Sequence, residues 1–312
     1  MKIACVVHRY GAEIAGGSEA HCRHVAEHLA PHHDVTVLTS CAKDHVTWRN
    51  DYPPGETLVN GVRVRRFPVA RQRSLHRFAA ISAETSDGRH TEEQERAWFR
   101  ENGPDVPELL AHLGAAGAAY DRVLFWAFRY AEAFFGLPLV ANRAILVPTA
   151  EEDPVVKFEV LERYFQQPRG LIFLTPEEQA LVERRAPGLV APSCVIGSGL
   201  DPVTAHPGLP LERFGVREPF MLYLGRVDPN KGCGLLMQHF IRYAGERRDR
   251  SLQLVLAGPA NMPIPAHPAL LPLGFVGEET REALLARASL LVVPSRYESL
   301  SLALLEGWNH GV

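Results

Sequence analysis

Short apolar runs rich in β-branched residues alternate along most of this chain with stretches whose apolar positions recur at helical spacing. That alternation is the signature of βα units built around parallel sheets. Strands are expected at Lys2–His8, Asp34–Thr39, Val62–Pro68, Arg122–Phe128, Ala144–Pro148 and Gly170–Thr175, with helices between most of them. Thr91–Asn102 reads as a polar helix. Its neighbourhood, Arg71 to Asp121, is too long for a simple crossover and is expected to be an inserted helical excursion. Pro187, Pro192, Pro202, Pro207, Pro210 and Pro219 then cluster, interleaved with Gly197, Gly199 and Gly208, and mark a linker. The rhythm restarts with strands at Phe220–Leu224, Leu252–Ala257, near Gly274-Phe275-Val276 and at Leu290–Pro294. The expected architecture is α/β: two Rossmann-like domains, over 1–198 and 199–312, facing a cleft at the carboxyl ends of their strands. Leu302 to Asn309 reads as a helix with Gly311 at its end, so the second domain is expected to be incomplete and the chain a fragment.

Composition narrows the function classes. Among 312 residues, 33 Lys and Arg face 36 Asp and Glu, and 46% are hydrophobic, which describes a folded protein with a large core. A net charge of -3 gives no electrostatic reason to expect nucleic acid as a partner. No apolar run approaches the ~20 residues of a bilayer-spanning helix. The N-terminus enters strand-like sequence without a basic leader, so a cytoplasmic location is expected. Cys5, Cys22, Cys41, Cys194 and Cys233 are odd in number and scattered, and suit neither a disulfide framework nor a zinc cage.

Three loops carry candidate chemistry. The first, Arg9-Tyr10-Gly11-Ala12-Glu13-Ile14-Ala15-Gly16-Gly17-Ser18-Glu19, leads into a helix starting near Ser18. Its paired glycines allow close approach of backbone to a ligand, and the helix N-terminus offers free N–H groups. A turn that needs glycine only for its dihedrals is the competing reading. In the second loop, the strand ending at Gly225-Arg226 is followed by Lys231-Gly232, with a helix expected to begin at Lys231. Two cations beside a helix N-terminus suit a departing diphosphate, although such charges are also commonly solvated. The third runs from Pro294 through Glu298, Ser299, Leu300 and Ser301 to Glu306, with seven residues between the glutamates. Ser299 and Ser301 both fit an N-cap. Glu306 stands on the flank of an apolar helix, where a carboxylate needs a partner.

Together these motifs resemble the retaining glycosyltransferases of family 4, which have the GT-B fold. The likeness rests on Gly16-Gly17-Ser18-Glu19, on Gly225-Arg226 followed by Lys231-Gly232, and on Pro294-Ser295 ahead of the Glu298/Glu306 pair, in this order over almost the whole chain. The resemblance implies transfer of a sugar from a nucleotide diphosphate sugar to a glycan, glycolipid or other lipid-linked acceptor, as in polysaccharide biosynthesis. It implies no required metal and no cofactor beyond the donor substrate. Arg226 and Lys231 would hold the diphosphate and Glu298 would face the transferred sugar. Glu306 would accept from the ribose hydroxyls, with Gly225, Ser299, Leu300 and Ser301 around the donor. Gly16 and Gly17 would give the acceptor or a phosphate room. The chain departs from the family where relatives carry a histidine after the fourth strand of the first domain: here the stretch is Phe125-Trp126-Ala127-Phe128-Arg129-Tyr130, and Glu151 stands where a second histidine is usual. An inactive nucleotide-sugar-binding or assembly subunit, or another GT-B enzyme such as an epimerase or a phosphorylase, are the alternatives.

Two further features have competing readings. His21, His24 and His28 share a face of the first helix at metal-compatible spacing, but Cys22, Val25 and Leu29 read as its core stripe and no carboxylate is aimed at the histidines. Arg63, Arg65, Arg66, Arg71, Arg73 and Arg77 form a basic segment that could meet an anionic membrane surface or a phosphorylated acceptor. The alternation from Val62 to Phe67 favours a strand with one solvated face.

Overall fold

The computed structural model describes residues 1–14, 16–86, 88–203, 208–246 and 252–312; Ala15 of the first loop and Pro207 of the linker lie outside them. The chain divides into two compact units, Met1–Gly197 and Ser198–Val312.

The first unit contains β1 (Lys2–Val6), α1 (Gly17–Leu29), β2 (Asp34–Ser40), β3 (Gly55–Val59), β4 (Val62–Phe67), α2 (Leu75–Glu84), α3 (Glu92–Asn102), α4 (Pro107–Ala116), β5 (Arg122–Trp126), α5 (Ala131–Gly136), β6 (Ala144–Val147), α6 (Val160–Phe165), β7 (Gly170–Phe173), α7 (Pro176–Arg185) and β8 (Ser193–Val195). Its sheet runs β3-β4-β2-β1-β5-β6-β7-β8, parallel throughout except for β3, which is antiparallel to β4. β3 and β8 were not anticipated. β3 is solvated along nearly all its length, so it shows neither an apolar run nor clean alternation.

Helices α2 to α4 occupy the stretch expected to be an excursion. Trp98, Phe99, Leu109 and Leu113 instead join the main core with Phe125, Phe128 and Phe134, so α3 and α4 are part of the domain's own covering layer. Phe99 stacks on Phe134 with centroids 3.8 Å apart. α3 starts with a capping box, the Thr91 hydroxyl accepting from Gln94 N and the Gln94 side chain accepting from Thr91 N. The Glu95 carboxylate on α3 accepts the backbone amides of Glu159 and Val160, fastening α3 to the start of α6.

The basic segment is largely absorbed by the fold. Arg63 pairs with Asp34 at 3.1 Å, Arg65 lies 3.9 Å from Glu56, and Arg71 pairs with Glu101 at 2.9 Å. Arg73 donates to the carbonyls of Asn102 and His45. Arg66 does not lie on the solvated face: it is 5% exposed.

The second unit contains β9 (Phe220–Leu224), α8 (Cys233–Glu246), β10 (Gln253–Ala257), β11 (Leu270–Gly274), α9 (Glu278–Arg287), β12 (Leu290–Leu291) and α10 (Leu302–His310), with a parallel sheet in the order β11-β10-β9-β12. β11 ends where a strand near 274–276 was expected to begin, because Leu270 and Leu271, not Phe275 and Val276, pair with β10. β12 keeps only two residues of the expected five. α10 ends at Gly311, whose φ of 79° is the left-handed conformation that favours glycine at a helix end. Phe220, Leu222, Val255 and Leu284 form the core on one side of this sheet. Among the described residues, no helix is long and apolar enough to cross a membrane.

Candidate functional site

In the second unit the strand order does what the sequence could not display: it sets β9 beside β12. The loop leaving β9 carries Gly225, Arg226 and Lys231; the loop leaving β12 carries Glu298. The two loops meet. Lys231 Nζ donates to Glu298 Oε1 at 2.7 Å, with the two side chains 28% and 27% exposed. The Asp228 side chain accepts from Asn230 N at 2.9 Å and caps a single 3-10 turn at Pro229–Lys231. α8 therefore begins at Cys233, two residues after the Lys231 start expected from sequence.

Glycines set the close approach of these loops. Gly232 has φ of 74°, and a Cβ there would collide with the carbonyl oxygen of Pro294, beyond β12. Gly258 after β10 lies so near the Gly225 carbonyl that a Cβ would likewise collide. Gly225 N donates to Ala257 O at 2.9 Å and Gly258 N to Gly274 O at 2.7 Å, so the ends of β9, β10 and β11 are joined backbone to backbone.

Tyr223 lies under this loop, its hydroxyl donating to Arg226 O at 2.5 Å. Burial, then the Cys233 thiol and the Glu298 charge, push its phenol well above the ordinary range, with Arg226 acting in the opposite sense. The Glu298 and Arg226 charges thus both act on Tyr223, and Lys231 is joined to them through its contact with Glu298.

Glu306 is held differently. On α10 it meets Arg281 of α9 at 3.1 Å, and Arg281 also pairs with Glu282, whose other oxygen contacts His310 Nε2 at 2.8 Å. The carboxylate that needed a partner has one in Arg281. Burial nevertheless pushes Glu306 above the usual carboxylate range, opposed by Arg281. Ser301, not Ser299, is the N-cap of α10, its hydroxyl accepting from Leu304 N at 3.3 Å. Ser299 and Leu300 lie in the loop between Glu298 and that cap.

In the first unit, Gly16 is the N-cap residue of α1. The room left by its missing side chain is filled by the Glu19 carboxylate, whereas nothing lies within 4 Å of where a Cβ on Gly17 would be. Glu19 belongs to a buried cluster that sequence reasoning missed. His8 Nε2 lies 2.9 Å from Glu19 Oε1, Arg9 pairs with the same oxygen, and the Ser18 hydroxyl donates to the other at 2.9 Å. Burial opposes the charge on Glu19, but His8 and Arg9 hold it well below the usual carboxylate range. Glu132 of α5, 3.9 Å from His8 Nδ1, is 1% exposed, and burial drives it far above that range. His8 stacks on Tyr130 at 3.6 Å. A histidine at the carboxyl end of β1 followed by a glutamate in the first turn of α1 was the signal available in the sequence.

Arg129 pairs with Asp153 in the loop after β6. That loop is held further by Glu178, which accepts from Ala150 N and Leu174 N, each at 2.7 Å. His21 is buried with Cys22 and Ala26, while Val25 and Leu29 of the expected stripe are only half-buried. Trp126 Nε1 donates to His21 Nδ1 at 3.0 Å, and burial, then His24, push His21 down to about 4. Among the described residues no group of three or more His, Cys, Asp or Glu is placed to hold a metal ion.

Residues 218–312 match the family model for glycosyl transferases group 1. The α-D-kanosaminyltransferase of Streptomyces kanamyceticus is 34% identical over 111 residues, which span 30% of this chain and 27% of that protein. The Anabaena protein HepE, solved in complex with UDP and glucose, superposes with a TM-score of 0.65 at 14% identity, covering all of this chain and 79% of its own. The UDP-forming α,α-trehalose-phosphate synthase of Burkholderia xenovorans, in complex with glucose-6-phosphate, gives a TM-score of 0.67 at 12% identity over 99% of this chain and 82% of its own. The chain thus has the two-unit α/β fold of the GT-B glycosyltransferases, and most of its second unit matches the glycosyl transferases group 1 model.

Proposed function

We propose that this chain is a retaining glycosyltransferase that moves a sugar from a nucleotide diphosphate sugar to a carbohydrate or lipid-linked acceptor in the cytoplasm. The second unit takes the donor and the first the acceptor. The observation that carries the reading is the contact of Lys231 with Glu298 between the loops leaving adjacent strands β9 and β12, with Arg226 in the first of these loops, at the carboxyl ends where open α/β sheets bind ligands. The family match over this segment supports it.

In this reading Arg226 and Lys231 neutralise the charge that develops on the departing diphosphate, so the reaction needs no metal for that purpose. Glu298 exchanges its ion pair with Lys231 for hydroxyls of the transferred sugar. Glu306 offers two acceptor oxygens to the vicinal hydroxyls of the ribose, its position set by Arg281. The test is a panel of nucleotide sugars incubated with candidate acceptors, with released nucleoside diphosphate as the readout. Turnover that falls sharply in Arg226→Ala and Lys231→Ala is expected, and failure of every donor to bind rules the reading out. A second reading, a nucleotide-sugar-binding subunit without turnover, is favoured by one observation: the stretch Phe125 to Tyr130 holds no histidine where the family resemblance implies one. Binding without nucleotide release would select it.

A further inference from the structure

The first unit contains a cavity of about 420 Å3 between the loop after β1 and the β3–β4 hairpin, with Gly11, Glu13, Tyr52, Pro53, Glu56 and Arg66 in its lining. Arg66 is the unusual member. Along β4, Val62 and Val64 are buried while Arg63 and Arg65 turn outward, and the chain then places Arg66 in the buried phase. Its Nη2 donates to Tyr10 O at 2.8 Å and its Cζ lies 4.1 Å from the centre of the Tyr52 ring. Its Nε has no hydrogen-bond partner among the described residues.

The surrounding charges are already spoken for. Glu13 pairs with Lys43 at 2.8 Å, and that hydrogen bond draws its carboxyl down to about 2. Glu56 faces Arg65 at 3.9 Å. Arg23, which donates to Gly11 O at the rim, lies 3.8 Å from Glu27. Among the described residues Arg66 has no carboxylate of its own. A guanidinium buried without a counter-charge is costly, and a neutral residue would fill this strand position more cheaply. A ligand that brings the missing negative charge removes the anomaly.

We propose that this cavity binds the phosphate or carboxylate of a small acidic ligand, such as a sugar phosphate or a sugar acid, with Arg66 as its anchor. The planar fork of Arg66 matches either anion, while Pro53 and Pro54 in the lining give the carbon skeleton an apolar wall. The site lies wholly within the first unit and does not depend on the donor reading.

The test is calorimetric titration of the full chain with inorganic phosphate, glucose 6-phosphate and glucuronate, at matched ionic strength and with glucose as the uncharged control. Saturable binding of at least one anion, and none of glucose, is expected. A preference for glucose 6-phosphate identifies the phosphate source, and a preference for glucuronate the carboxylate source. Arg66→Met is expected to weaken the anion by about tenfold or more, the loss of a charge-assisted hydrogen bond. Should Arg66→Met fail to fold, Arg66→Lys keeps the charge without the fork and is expected to bind several-fold more weakly. Nucleoside diphosphate titrated in parallel is unaffected by either substitution. No saturable anion binding by the unaltered chain up to roughly 10 mM, or full affinity in either variant, overturns the proposal.

Discussion

Removing Lys231 and removing the charge of Glu298 are expected to move nucleotide affinity in opposite directions. The two groups touch at 2.7 Å and each is a little over a quarter exposed, so the pair itself contributes about 0.5–1 kcal/mol. In the proposed donor site an incoming diphosphate would take the ammonium away from Glu298. A charge-assisted hydrogen bond to phosphate is worth about 1.5–3 kcal/mol, so Lys231→Met should weaken a nucleoside diphosphate by roughly 10- to 150-fold. Glu298 competes for the same ammonium. Glu298→Gln should therefore tighten the nucleoside diphosphate by about 2- to 5-fold, while weakening the intact sugar nucleotide whose hydroxyls the carboxylate would meet. In the Lys231→Met background the gain from Glu298→Gln should vanish, giving a coupling of about 0.5–1 kcal/mol. Calorimetry on the four proteins, with whichever nucleoside diphosphate the unaltered chain binds, reads all of these values. Lys231→Met binding like the unaltered chain, or Glu298→Gln losing as much affinity for the nucleoside diphosphate as Lys231→Met, would refute the arrangement.

Three further outcomes are expected. Arg226→Ala should lower kcat by more than it raises the acceptor KM, because its contact strengthens as charge leaves; steady-state kinetics showing only a KM effect would reject that role. Gly232→Ala should cost about 2–4 kcal/mol in urea denaturation, from a left-handed φ of 74° and collision with Pro294 O, whereas Gly245→Ala, with nothing within 4 Å, should be neutral or slightly stabilising. Burial pushes Glu178 up to about 7, opposed by the amides of Leu174 and Ala150, so the folded chain binds its proton more tightly than the unfolded chain does. The stability linked to that proton is full below about 4.5 and is lost as pH rises through 7. Relative to Glu178→Gln, the unaltered chain should lose about 3 kcal/mol between pH 4.5 and 8, and parallel stability curves would show that Glu178 is not the group responsible.

Legibility followed burial. Strands β1, β2, β5, β6, β7, β9 and β10 are buried apolar runs and could be read from the sequence directly. β3 could not, because an exposed antiparallel edge such as Gly55–Val59 is held by pairing to β4 and not by burial. The motifs named Lys231 and Glu298 separately, but not that one would find the other: that contact depends on β12 joining the sheet beside β9, which no local pattern encodes. The basic run concealed Arg66 for a similar reason. Six arginines look alike in composition, and only the phase of β4 separates the buried one from its solvated neighbours. In the His8, Glu19 and Glu132 cluster the first two are close enough in sequence to be noticed, but Glu132 lies more than a hundred positions away, beyond the reach of spacing rules.

The stitching of the β9, β10 and β11 ends has an evolutionary corollary. A platform whose main chain is pinned by Gly225, Ala257, Gly258 and Gly274 has little latitude to reshape itself, so diversification is expected to proceed through side chains around it and not through its backbone. New preferences can then accumulate one substitution at a time without dismantling the scaffold that carries them.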